Sequence, residues 1–188
     1  MGDMMETETN NWHIKRLTGD EKIHNFHSGD RDIDNFINDS AHLFSEQRLS
    51  ANYVLIDSSA NENPVGFFTL SCDRICMSDF QSNTEFNRFR KRRFKNAKRL
   101  KGFPAIKIGR IAISSELQGY GLGALLIETI KDFISSVKYV GCRFITVDAY
   151  ITKVDLYRKF GFELLYSEEN QSESKTCEMY YDLLTIKD

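Results

Sequence analysis

One stretch restricts the fold more than any other: residues 107–136, KIGRIAISSELQGYGLGALLIETIKDFISS. Its first part sets Ile108, Ile111 and Ile113, with Ile106 just ahead, around Gly109 and Arg110, a β-branched apolar run that suits a buried strand. Its middle, Ser114 to Gly123, is a loop with glycines at 119, 121 and 123. Beyond it Leu125, Leu126, Ile130, Phe133, Ile134 and Val137 recur at helical spacing. A strand, a glycine-rich loop and a helix N-terminus therefore follow one another. The first amides of a helix lack intrahelical partners, and the macrodipole places partial positive charge there. Glycines let an anion reach that bare backbone. Closely spaced glycines also make a plain tight turn, and spacing alone leaves both readings open.

The details of the loop exclude two phosphate motifs. A dinucleotide fingerprint running from Gly121 and Gly123 needs a small residue at 126, where the chain has Leu126. A P-loop ends in Gly-Lys-Ser/Thr, which is absent here. Gln118-Gly119-Tyr120-Gly121-Leu122-Gly123 instead resembles the Gln/Arg-x-x-Gly-x-Gly/Ala motif of the GNAT superfamily of acyl-CoA-dependent N-acetyltransferases. The resemblance implies that the loop amides, through Ala124, hold the pyrophosphate of acetyl-CoA. It also implies that Ile111, Ala112 and Ile113 pair with the pantetheine arm like an added strand.

A chain of 188 residues suits one domain with a sizeable core. We expect a disordered tail over 1–10 and one acetyltransferase domain over 11–188. No apolar run reaches membrane-spanning length, and MGDMMETETNNW is too acidic and polar for a secretory leader. Glu6 stands where a myristoylation signal needs Ser or Thr. A cytoplasmic protein is expected. Cys72, Cys76, Cys142 and Cys177 form no CxxC pair; strand-like surroundings make Cys72, Cys142 and Cys177 core thiols. His13, His24, His27 and His42 lack ligand spacing, so no metal site is expected. Net charge is −2, yet residues 88–101, RFRKRRFKNAKRLK, hold nine basic residues and no acidic one. A basic block on an acidic body points to an anionic partner.

Read in order, residues 12–17 are a first strand. Asp30 caps a helix from Arg31, with Ile33, Phe36, Ile37, Ala41 and Phe44 on one face. Residues 52–57 and 65–77 make an antiparallel hairpin. The basic segment reads as a loop or short helix. After the central strand, loop and helix, Gly141 is expected to end that helix. Residues 143–149 form a strand that closes a right-handed βαβ unit. A short helix over 153–160 ends at Gly161, a strand starts at Phe162, a polar loop spans 167–175, and 176–184 closes the sheet. The fold class is α/β: a single-domain, GNAT-like mixed sheet, mostly antiparallel, flanked by helices. In the resemblance its central parallel pair splays apart.

Leu156-Tyr157-Arg158-Lys159-Phe160-Gly161-Phe162 is similar to the family's Tyr-x-x-x-Gly-Phe step. The resemblance makes Tyr157 the acid that protonates the departing CoA thiolate. A phenol near pKa 10 is protonated at neutral pH and can donate. Packing against Phe160 and Phe162 is the bland alternative. The implied chemistry is direct transfer to a neutral amine, with an amide such as that of Ile113 stabilising the oxyanion. Glu116 and Asp148 are the nearest acidic residues in sequence, but each suits a surface carboxylate better than a base. Tyr150 and Lys153 replace the Asn and Ala common in the family, so no cofactor contact is carried onto that helix.

Phe26-His27-Ser28-Gly29-Asp30-Arg31-Asp32-Ile33-Asp34-Asn35-Phe36-Ile37, with Val147-Asp148-Ala149 and Tyr181-Asp182-Leu183, resembles the GNAT branch that includes bacterial toxin–antitoxin acetyltransferases. That branch contains enzymes acting on the amino group of aminoacyl-tRNA, and homodimers are common in it. The basic block Arg88–Lys101 suits tRNA phosphates. An antitoxin is then a further expected partner. A small-molecule or protein amine as acceptor, and a non-catalytic acyl-CoA sensor, are the competing readings.

Overall fold

Alternating and continuous apolar runs become seven strands among the described residues. The computed structural model describes residues 12–19, 21–24, 26–59, 63–95, 100–166 and 175–185. The expected tail, residues 96–99 of the basic block, and most of the polar loop 167–175 lie outside them. Strand β1 is Trp12–Arg16, β2 Ala51–Asp57, β3 Asn63–Cys76, β4 Gly102–Ile113, β5 Phe144–Tyr150, β6 Glu163–Leu164 and β7 Thr176–Asp182. Helices are α1 (Arg31–Asn35), α2 (Ala41–Glu46), α3 (Asn83–Arg93), α4 (Leu122–Ser136) and α5 (Val154–Lys159). The sheet order is β1-β2-β3-β4-β5-β7-β6, mostly antiparallel, with β4 and β5 parallel. This is the expected mixed α/β sheet flanked by helices.

The chain divides into two compact units, residues 1–71 with 108–136, and 72–107 with 137–188. Strands β3 and β4 each contribute residues to both. In the first unit, β2 is apolar on both faces because both are covered. Val54 and Ile56 meet Phe26, Phe36, Ala41 and Phe67, while Tyr53 stacks on Phe68 and meets Phe133 of α4 edge-on. Asp30 caps α1 as expected, accepting from the amides of Asp32 and Ile33 at 2.9 and 3.3 Å. A π-helical turn, Phe36–Ser40, joins α1 to α2, a feature the helical spacing did not disclose.

In the second unit, Phe86 and Phe89 of α3 insert among Ile75, Phe103, Ala105, Phe144, Leu165 and Tyr180. Of the loop or short helix expected for the basic segment, its start is helix, the end of an 11-residue α3. Ser82 caps it by accepting from the Glu85 amide at 3.2 Å. Four basic residues in its last turn, Arg90 to Arg93, complement the helix dipole. Two expectations need correction. Helix α4 stops at Ser136, not Gly141: the hydroxyls of Ser135 and Ser136 donate to the carbonyls of Lys131 and Phe133, both at 2.7 Å, and compete with the backbone ladder. Cys72 is exposed, because it shares the outward face of β3 with Arg74; Cys177 is buried and Cys142 half-buried.

Candidate active site

Strand β4 delivers the chain to the glycine loop. Ile108 and Ile113 are buried, Ala112 packs against the cluster around Phe36, and Ile111 is half-buried. After Ile113 the backbone turns through a short 3-10 segment, Ser115–Leu117. The Ser114 amide donates to the Val65 carbonyl at 2.9 Å, and the Ser115 amide to the His27 carbonyl at 2.7 Å. The Gln118 side-chain amide donates to the carbonyls of Ser28 and Ile113 at 2.7 and 3.1 Å. Its donors are thus spent inside the protein, as a brace across the loop.

The brace continues into the N-terminal motif. Buried Ser28 donates its amide and hydroxyl to one Asp34 oxygen at 2.7 and 2.6 Å. The segment Phe26–Ile37, which the resemblance used only as a family marker, therefore holds the floor of the loop. Sequence reasoning missed Ser28 and Asp34 as positioning residues. The available signal was two polar residues bracketing the Asp30 cap. Arg110 was missed too: its guanidinium lies 3.6 Å from the Phe36 ring centroid, and burial lowers its pKa.

Beyond the brace the backbone is open. Gly119 and Gly121 have φ of +87° and +83°, a left-handed conformation that other residues adopt only with strain. A Cβ added at Gly119, Gly121 or Gly123 would meet no atom within 4 Å. Helix α4 starts at Leu122, and the Gly121 carbonyl accepts from the amides of Ala124 and Leu125 at 3.0 and 3.3 Å. The amides of Gly119, Tyr120, Gly121, Leu122 and Gly123 have no acceptor among the described residues. The Ala124 amide, by contrast, is used within the first turn. No acidic residue occupies that turn. Tyr120 is exposed. Five unpaired amides at a dipole N-terminus suit a diphosphate. Replacing Gln118 by alanine should leave two carbonyls unpaired and loosen this cradle. Acetyl-CoA affinity, read by calorimetry, should fall about tenfold while the protein stays folded.

The second unit carries Tyr157 on α5. Its ring is buried and meets Phe162 edge-on at 5.4 Å. Burial pushes its phenol up to about 12. No described residue hydrogen-bonds the hydroxyl. The carbonyl of Tyr157 accepts from the amides of Phe160 and Phe162 at 3.0 and 3.1 Å, which closes the turn at Gly161. Asp148 is tied to Lys107 by an ion pair at 2.6 Å and Glu116 is exposed, as surface carboxylates are expected to be.

A glycine loop opening a helix, fed by the central strand of this mixed sheet, is the arrangement the GNAT resemblance leads one to expect. The acetyltransferase (GNAT) domain family matches residues 94–183. Over that stretch the chain is similar to an N-acetyltransferase domain of the type that uses acetyl-CoA as cosubstrate. Among solved structures it is similar to AtaT complexed with acetyl-methionyl-tRNAfMet, at 20% identity over 93% of this chain and 96% of that one, TM-score 0.70. It is similar to AtaTR bound with AcCoA, at 20% identity over 94% and 96%, TM-score 0.70. A Tyr-to-Phe mutant of KacT matches at 19% identity over 93% and 96%, TM-score 0.70. At such identities the likeness shows the fold. Among the described residues no helix is long and apolar enough to cross a membrane.

Proposed function

We propose that this protein transfers acetyl from acetyl-CoA to the α-amine of aminoacyl-tRNA. The observation that carries the cofactor half is the row of unpaired amides from Gly119 to Gly123 on a braced loop. In this reading those amides hold the pyrophosphate, Ile111 to Ile113 pair with the pantetheine arm, and Ala124 supports the first turn. Gln118 acts as a positioning residue. Residues 11–188 work as one domain, since β3 and β4 contribute to both compact units.

The acceptor amine attacks the thioester carbonyl, and the Ile113 amide stabilises the oxyanion. As the C–S bond breaks, the Tyr157 phenol gives its proton to sulfur. The nitrogen loses its proton to solvent, and solvent reprotonates the phenolate. An α-amine on an ester is less basic than a lysine amine, so no dedicated base is needed.

The basic segment supports an RNA acceptor, as does the likeness to AtaT complexed with acetyl-methionyl-tRNAfMet. An antitoxin partner is part of the same reading, by analogy with the AtaT mutant toxin bound to the C-terminus of AtaR. So is a homodimer. The test supplies radiolabelled acetyl-CoA with total charged tRNA, uncharged tRNA, and a panel of amines and peptides. Label on charged tRNA alone is expected. Label on a peptide or small amine instead would replace the acceptor assignment.

A further inference from the structure

The basic residues of α3 and its exit divide into two sets. Arg93 turns inward: it pairs with Glu163 at 3.1 Å and Asp182 at 3.6 Å, bonds the Tyr180 hydroxyl and lies 4.3 Å from the Phe89 ring centroid. Arg90 bonds Asn87 at 2.7 Å and covers Phe86. Arg93 holds the helix to its core, while these contacts of Arg90 lie along α3 itself. Arg88, Lys91 and Arg92 are exposed at spacing i, i+3, i+4 on α3, and Lys95, also exposed, follows two residues past the helix end. No ion pair among the described residues engages any of the four.

Arg88, Lys91 and Arg92, with Thr84 and Asn87, line a shallow groove of about 490 Å³. Its lining has hydroxyl, amide and cationic donors and no carboxylate. None of the large exposed apolar residues lies on α3. A membrane surface or a folding amphipathic peptide needs apolar contact as well as charge. A polyanion backbone needs only spaced cations and donors, and guanidinium forks match phosphate oxygens.

We propose that this face of α3, carried by Arg88, Lys91 and Arg92, together with Lys95 just past the helix end, docks the sugar–phosphate backbone of RNA. It deepens the acceptor assignment above and rests on it for the choice of RNA. The four residues give affinity and register without reading sequence.

The test replaces all four by glutamine in the full chain and titrates uncharged tRNA by fluorescence anisotropy across a salt series. Binding at low salt should weaken at least about tenfold, and the slope of log K against log salt should shrink by about 3. Arg90→Gln should leave the slope nearly unchanged. An unaltered slope in a folded quadruple variant with intact acetyl-CoA affinity would overturn the proposal. If the quadruple variant does not fold, Arg88→Gln with Arg92→Gln should still remove about 1.5 of the slope. Tight binding of an acidic peptide with no binding of tRNA would also overturn it. The two assignments fail separately. Salt-dependent tRNA binding without label transfer refutes the acceptor alone. Label on charged tRNA with an unchanged slope refutes the docking face alone.

Discussion

Gly121→Glu abolishes acetyl-CoA binding in calorimetry, with an expected loss of more than about a hundredfold, and leaves a folded protein. The fold survives because a Cβ at this position meets no atom within 4 Å. The backbone cost is that of holding a non-glycine residue at φ +83°, about 1–2 kcal/mol. The binding loss has a different origin. The new carboxylate stands beside the unpaired amides of Leu122 and Gly123 and can accept from them itself. It thereby fills the place of the phosphate and repels what remains of it. Gly121→Ala separates the two effects, since it adds the strain without the charge. We expect a loss of about tenfold there. Unaltered affinity in Gly121→Glu would refute the loop as the pyrophosphate site.

The strand and loop of the candidate site were legible because their physics is local. A β-branched run, three glycines and a 3.6-residue repeat are each written in consecutive positions. The helix after the glycine loop, which starts one to two residues earlier than expected at Leu122, the Asp30 cap and the turn at Gly161 were legible for the same reason. What escaped notice depended on partners far away in sequence. The Gln118 brace needs the Ser28 carbonyl, 90 residues earlier, and no spacing rule predicts it. Helix α3 was half hidden for another reason. Its apolar side is only Phe86 and Phe89, which a run of cations outweighs. The Ser82-x-x-Glu85 sequence was nonetheless a start signal of the usual kind. Gly141 misled because a glycine after a helical stretch is often a cap, whereas Ser135 and Ser136 had already ended the helix. Cys72 misled because a strand has two faces, and only the partner elements decide which one is wet.

Tyr157→Phe is expected to keep acetyl-CoA affinity and to lower kcat about a hundredfold, with little change in the KM of the acceptor. The change removes one oxygen and keeps the ring that packs on Phe162. A loss confined to kcat reports an interaction made only as the C–S bond breaks. Two pH measurements separate this role from packing. Because burial holds the phenol up to about 12, wild-type turnover should show no alkaline loss from Tyr157 up to pH 10, and any rising limb below that belongs to the amine. Stability follows the opposite logic. The folded pKa lies above the unfolded value near 10, so the folded state binds the proton more tightly. That contribution is fully present below pH 10 and is lost as pH rises towards 12, about 2–3 kcal/mol in all. Denaturation at pH 8 and pH 11 should therefore show a smaller alkaline loss for the phenylalanine variant than for the wild type. If the stability difference appears while kcat is unchanged, Tyr157 is a core residue and the proton reaches sulfur from elsewhere.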